Sequence, residues 1–324
     1  PLPRWWTWFD VLANLAGYAP LGLLLALALL ARVRRAPAWL RATAAAAALS
    51  LLMEGLQSYL PQRVPSNVDF ALNAAGAALG AGLALVLDVV GVLVRWRRWR
   101  ERWFAPHTLG AQVLLALWPV GLLFPLPVAF GMGQVLERLE AALAHVPWLA
   151  WLPVRELALQ PLPPMAVRVC VALGALAPCL LIYTVVRVRW RRALLALAAL
   201  AAGVAVSALS AALTYGPAYA GAWARPGVLA GVQMAVAAAA LLLWLPRRWC
   251  ARLLMAALAV QLALLNAMPE EPYGAQVLAE WEQGRFIHFH GLAQWVGWLW
   301  PYAVMTWTLA RMLHAWRWHG RMGR

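Results

Sequence analysis

The sequence predicts an all-α fold, a polytopic bundle of about nine transmembrane helices, on three observations. Of its 324 residues, 64% are hydrophobic and only 12% charged, with a mean hydropathy of +0.69. That charged share is about half of the roughly 25% that keeps an ordinary soluble domain hydrated. Apolar stretches close to the roughly 20 residues needed to cross a bilayer recur along the chain, and 21 tryptophans supply interfacial anchors. Finally, the arginines alternate between dense and sparse loops, as topology rules require of a multi-pass protein.

Hydropathy and helix breakers place the spans near 10–31, 41–60, 69–94, 109–131, 165–187, 193–214, 226–246, 251–268 and 289–312. The stretch 132–164 is less hydrophobic and rich in proline. Within it, Val135, Leu136, Leu139 and Leu143 share one face of an amphipathic helix opposite Gln134, Glu137, Arg138 and Glu140. In the second outer segment, 269–288, Val277, Leu278 and Trp281 oppose Glu280, Glu282 and Gln283. Such segments lie along a membrane surface or pack on the bundle as ordinary loop helices. Pro119, Pro125 and Pro127 interrupt the fourth span and Pro178 the fifth, which reads as kinks tolerated inside membranes.

All 27 basic residues are arginine, and the net charge is +15. In a soluble protein that charge suggests nucleic acid. Here the arginines cluster between apolar spans, which marks cytosolic loops facing anionic lipid heads and excludes nucleic acid as a partner. The dense set comprises 32–41, 95–102, 187–192, 247–252 and the tail from 311. The sparse set, with Arg4, Arg63, Arg138, Arg155, Arg168, Arg225 and Arg285, carries most of the acids. The positive-inside rule then puts the N-terminus outside and the C-terminus in the cytosol. An outside N-terminus without a signal-peptide pattern predicts a membrane segment upstream of Pro1; removal of an initiator methionine is the other reading.

Cys170 and Cys179 fall on one helix, about 13 Å apart at helical rise, too far for a disulfide. With Cys250 they read as packing residues. His288 and His290 face the same way if their segment is extended, a weak metal signal. Otherwise no metal and no cofactor is expected, since the chain holds no HExxH, phosphate loop or dinucleotide fingerprint. Asp88, near the inner end of the third span, is expected to pair with an arginine on the cytosolic side.

One short repeat stands out. Residues 10–17 and 69–76 share Asp-x-x-x-Asn-x-x-Gly, and both open a span running inward. On a helix these offsets put Asp10, Asn14 and Gly17, or Asp69, Asn73 and Gly76, on one stripe. The aspartates fall where a helix N-terminus favours negative charge. The asparagines lie a turn deeper, where an amide needs a partner, and the glycines, extended by Gly80, permit close helix approach. Ordinary capping and helix-to-helix glue account for the same residues. Between the repeats, Glu54 is a carboxylate in an apolar span with Gln57 at i+3. Arg63 follows in a loop bounded by Pro61 and Pro65, with Ser66 and Asn67 supplying turn and cap chemistry before Asp69.

The ordered set Asp10, Asn14, Gly17, Pro20, Gly22, Glu54, Gln57, Pro61, Arg63, Pro65, Ser66, Asp69, Asn73 and Gly76 resembles the VanZ-like family of bacterial multi-pass membrane proteins. The likeness covers roughly residues 8–95. It implies a three-helix membrane unit over 1–95, followed by an additional six-helix region over 96–324. It further implies residence in the bacterial inner membrane and an envelope-related role, named for teicoplanin resistance, with no particular reaction attached. Family members commonly carry one more hydrophobic segment before the first motif. The expected partner is a membrane lipid or lipid-linked envelope precursor. Arg63 would hold its anionic group as a bidentate donor. Glu54, Gln57, Asn14 and Asn73 would line the pocket, with Asp10 and Asp69 orienting Arg63. An enzyme using Glu54 as acid or base and a lipid transporter are the alternatives.

Overall fold

The structure is a computed structural model describing residues 8–59, 67–144, 160–269 and 287–321. Every regular element among the described residues is helical. Among the described residues, six helices are long and apolar enough to cross a membrane. The chain divides into two compact units, residues 1–102 and 103–324.

The first unit is built from α1 (Trp8–Leu30), α2 (Arg35–Gln57) and α3 (Asn67–Val89). Helices α1 and α3 run parallel in backbone contact. A Cβ added to Gly76 would overlap the Leu15 carbonyl, one on Gly80 the Ala19 carbonyl, and one on Gly22 the Ala77 carbonyl. With so little side chain between them, the axes approach closely and gain dispersion contacts in the absence of a hydrophobic drive. Gly17 departs from the expectation for the repeat. It is exposed, with nothing near the position of its missing Cβ, so only the second copy of the motif uses its glycine for packing.

Helix α2 returns antiparallel through alanines at 38, 42 and 46, all fully buried. Trp39 donates its indole N–H to the Ala78 carbonyl at 2.9 Å. At the far end of the hairpin, Arg35 Nε lies 2.8 Å from Asp88 Oδ2, the pairing expected for Asp88. Helix α3 ends at Val89, short of the expected 94, because Gly91 takes φ +75° and breaks the run. The arginine-rich stretch beyond it is itself a helix, α4 (Val92–Trp103), with no buried residue and with Trp96 stacked on Trp99 at 4.9 Å.

The second unit contains α5 (Leu109–Leu122), α6 (Leu136–Ala144), α7 (Pro164–Val185), α8 (Arg189–Tyr215), α9 (Pro226–Leu242), α10 (Arg247–Leu265) and α11 (Ile287–Arg321). Helix α7 is its axis, buried from Cys170 to Val185 except at Leu173, and packed on α8, α9, α10 and α5. All three cysteines are buried and unbridged, in keeping with packing roles.

The expected fourth span, 109–131, is half helix. Helix α5 contains Pro119 but stops at Leu122, and Pro125 and Pro127 lie beyond its end, so they terminate a helix where a kink was expected. The chain then continues as irregular backbone to residue 135, with Phe124, Val128, Phe130 and Met132 buried. Irregular backbone at such depth is tolerated only when protein satisfies its polar groups, and side chains do so here. Ser210 donates to Leu123 O at 2.8 Å and Gln261 to Phe130 O at 2.9 Å. Asn266 accepts from the N–H groups of Val135 and Leu136 at 3.1 and 3.0 Å and donates to Gly133 O, which Tyr302 also reaches. Helix α6 follows at once and confirms the first amphipathic segment as helical, with the Arg138 guanidinium 4.6 Å from the Trp298 ring centre. The second amphipathic segment lies outside the described residues.

The same logic operates at the opposite helix ends. Arg192 is buried and donates to Val186 O, Leu243 O and Leu245 O between 2.9 and 3.1 Å. Arg247 donates to Thr184 O at 2.7 Å. These guanidiniums satisfy orphan carbonyls where α7 and α9 finish, the end at which a helix dipole favours positive charge.

Candidate functional site

Of the predicted polar residues of the first unit, Asn14 and Asp69 are bonded to each other, and Asn73 lies one turn from Asp69 on α3. Asn14, part-buried on α1, donates Nδ2 to Asp69 Oδ1 at 3.1 Å. Asp69 stands in the first turn of α3, where the helix dipole stabilises its charge. One turn deeper, Asn73 is buried at 6% exposure and donates Nδ2 to Ser50 Oγ at 3.0 Å. Its Oδ1 has no hydrogen-bond partner among the described residues. A buried acceptor without a donor costs about 1–3 kcal/mol, so this atom is primed for a donor.

Antiparallel register places the remaining carboxylate. Ser50 and Asn73 are directly bonded, so Glu54, one turn later on α2, and Asp69, one turn earlier on α3, stand at the same level of the unit. Glu54 is half-buried in the last turn of α2. There the negative end of the helix dipole opposes its charge, which makes a cationic neighbour valuable. Asp10 is the third residue of α1, and Gln57 the last of α2; the placement of their side chains lies outside the described residues. Arg63 and Ser66, in the connection 60–66 between α2 and α3, also lie outside them.

Ser50 takes part in this arrangement and was not singled out by the sequence. Ser50 sits in an alanine-rich run with no motif around it, and only the register of α2 against α3 assigns it to Asn73. The weak metal signal fares differently. His288 and His290 fall in the first turn of α11, where the backbone is helical and not extended as that signal required; their side chains lie outside the described residues. Among the described residues no group of three or more His, Cys, Asp or Glu is arranged to hold a metal.

The chemistry available in the first unit is therefore hydrogen bonding and charge. Asn14 is bonded to Asp69, Asn73 a turn deeper keeps a buried acceptor without a donor among the described residues, and the Pro-bounded connection bearing Arg63 joins α2 to α3 at that end. Residues 2–88 match the family model described as VanZ/LLP1. No curated protein and no solved structure matches the chain.

Proposed function

With residues 2–88 placed in the VanZ-like family, we propose that this membrane protein binds an amphiphilic ligand of the bacterial cell envelope at the outer face of the inner membrane. The ligand class is a phospholipid head, a lipid-linked cell-wall intermediate or a lipoglycopeptide, and the setting is the response to glycopeptide antibiotics. Arg63 holds the anionic group; Glu54, Gln57, Asn14 and Asn73 line the recess; Asp10 and Asp69 orient Arg63. The topology that accompanies this reading has nine spans, the N-terminus outside and the C-terminus cytosolic.

The observation that carries the reading is the buried, donor-less Oδ1 of Asn73, one turn from the Asn14–Asp69 hydrogen bond. Polar groups at membrane depth are expensive, and such groups generally mark ligand or ion paths. Among the described residues Asn73 is bonded through Nδ2 alone, which leaves its oxygen for a donor on a ligand. Arg63 brings up to five fixed donors to this end of the unit, a fork suited to phosphate or carboxylate.

The test is gentle purification followed by mass spectrometry of co-purified lipids, wild type against Arg63→Ala. A bound amphiphile lost from the variant, at unchanged expression and melting temperature, is the expected result. Identical lipid profiles would remove the site. An enzymatic alternative, with Glu54 as acid or base, predicts instead that Glu54→Gln keeps the ligand and abolishes its conversion. A transporter would move labelled lipid between leaflets of proteoliposomes, which a binder does not.

A further inference from the structure

The second unit holds a cavity of about 1110 Å³, outside the residues that match the family model. This exceeds the roughly 300–1,000 Å³ typical of clefts for drug-sized ligands. It is framed by the C-terminal ends of α5 and α8, the N-terminal ends of α7 and α9, and the irregular chain after α5. Its lining is divided by chemistry. Leu122, Phe124, Val128, Phe130 and Val167 make an apolar side, stiffened by Phe130 stacking on Trp118 and meeting Trp223 edge-on. Ser207, Ser210, Thr214 and the tyrosines 215 and 219 bring hydroxyl groups to the lining.

The charge of this lining is one-sided. Arg168 and Arg225 are its cationic, phosphate-binding groups, and among the described residues no aspartate or glutamate lines the cavity. Both arginines sit at the wrong helix end for their sign. Arg225 immediately precedes Pro226, the first residue of α9, and Arg168 lies in the opening of α7, just after Pro164. Neither helix has an acid in its first turn. The helix dipoles present positive ends there, so each guanidinium adds to a positive field that it would ordinarily avoid. An anion supplied from outside the chain relieves this accumulation.

We propose that the cavity binds a lipid through an anionic phosphate head held by Arg168 and Arg225, with its acyl portion against the Phe124–Phe130 wall. The apolar side distinguishes such an amphiphile from a free phosphate ion, which shares the head chemistry but leaves that wall wet. This site is separate from the Arg63 cluster and stands or falls without it.

The test uses the full chain in phosphatidylcholine nanodiscs doped with a photoactivatable, tagged phosphatidylglycerol, with crosslinked peptides mapped by mass spectrometry. Crosslinks in 122–130 and 207–228 are expected. They should fall at least five-fold in Arg168→Gln/Arg225→Gln and remain unchanged in Arg63→Gln. Ser207→Trp, which fills the cavity while keeping both arginines, should lower them equally; melting temperatures within a few degrees of wild type exclude misfolding as the cause. Unlabelled phosphatidylglycerol should compete, and phosphatidylcholine should not. Crosslinking indifferent to both the arginine and the filling substitutions overturns the proposal. So does capture of a tagged phosphatidylcholine at equal yield, or displacement by inorganic phosphate alone. Loss of co-purified lipid in Arg63→Ala with these crosslinks intact would leave both sites standing; unchanged co-purified lipid in Arg63→Ala would sink the Arg63 site alone, and crosslinks indifferent to the arginine and filling substitutions would sink this one alone.

Discussion

Asn73 and Asn266 show how one residue type does two kinds of work in this chain. Asn266 is saturated: its oxygen accepts two backbone N–H groups at the start of α6, and its amide donates to Gly133 O and Leu262 O. It is structural cement for irregular backbone. Asn73 is half-satisfied, bonded through Nδ2 and bare at Oδ1. The two are indistinguishable by residue type or local hydropathy. Replacing Asn266 by Leu strands two N–H donors and should cost about 1–3 kcal/mol, read as a lowered unfolding midpoint in detergent. Asn266→Asp, which retains the acceptor at the N-terminus of α6, should lose less. Equal midpoints for wild type and the leucine variant would refute the role assigned to Asn266.

At the scale of elements, the repeated Asp-x-x-x-Asn-x-x-Gly motif does not imply repeated packing. Gly80 and Gly76 bring α3 against the backbone of α1, whereas Gly17, the counterpart of Gly76, borders open space. Gly80→Leu should therefore destabilise the first unit by about 1–3 kcal/mol through overpacking. Gly17→Leu should stay within about 0.5 kcal/mol, as surface changes generally do. Thermal unfolding of the two variants side by side decides this, and similar losses would show that α1 and α3 are not held by backbone approach. The shortened α5 carries a related lesson. Its hydropathy ran on to residue 131 because Leu, Phe, Pro and Val remain apolar whether or not the backbone is helical. Proline removes the N–H donors that a continuing helix needs, and Ser210, Gln261 and Asn266 sit 87 to 133 residues away in sequence, out of reach of any local signal.

For the whole molecule, the alternation of arginine-rich and arginine-poor loops leads to a topology that the buried native cysteines make easy to test. Tyr59→Cys, at 86% exposure, should react with a membrane-impermeant maleimide added to intact cells. Glu101→Cys, on α4, should react only after permeabilisation. The opposite pattern would invert the proposed orientation and put Arg63 in the cytosol, away from any periplasmic ligand. The arginines of α4 gain from the same placement, since a helix with no buried residue and stacked tryptophans suits an anionic lipid surface.

Much of this protein follows from its sequence. Its apolar composition demands an all-helical membrane fold, because only helices satisfy every backbone group locally in lipid, and Asp88, Asn14, Glu54, Asp69 and Asn73 are conspicuous as costly groups in apolar runs. Hydropathy, however, records how a side chain partitions and does so alike for lipid and for protein interior. It therefore left open that α7 would be the enclosed axis of the second unit and that α1 would face outward along much of its length. Which donor meets which acceptor was decided by register between helices far apart in sequence: Ser50 to Asn73, Asn14 to Asp69, Gln261 to Phe130. The cavity with Arg168 and Arg225 belongs to the same category, since four helix ends and an irregular chain form it and no one of them encodes it alone.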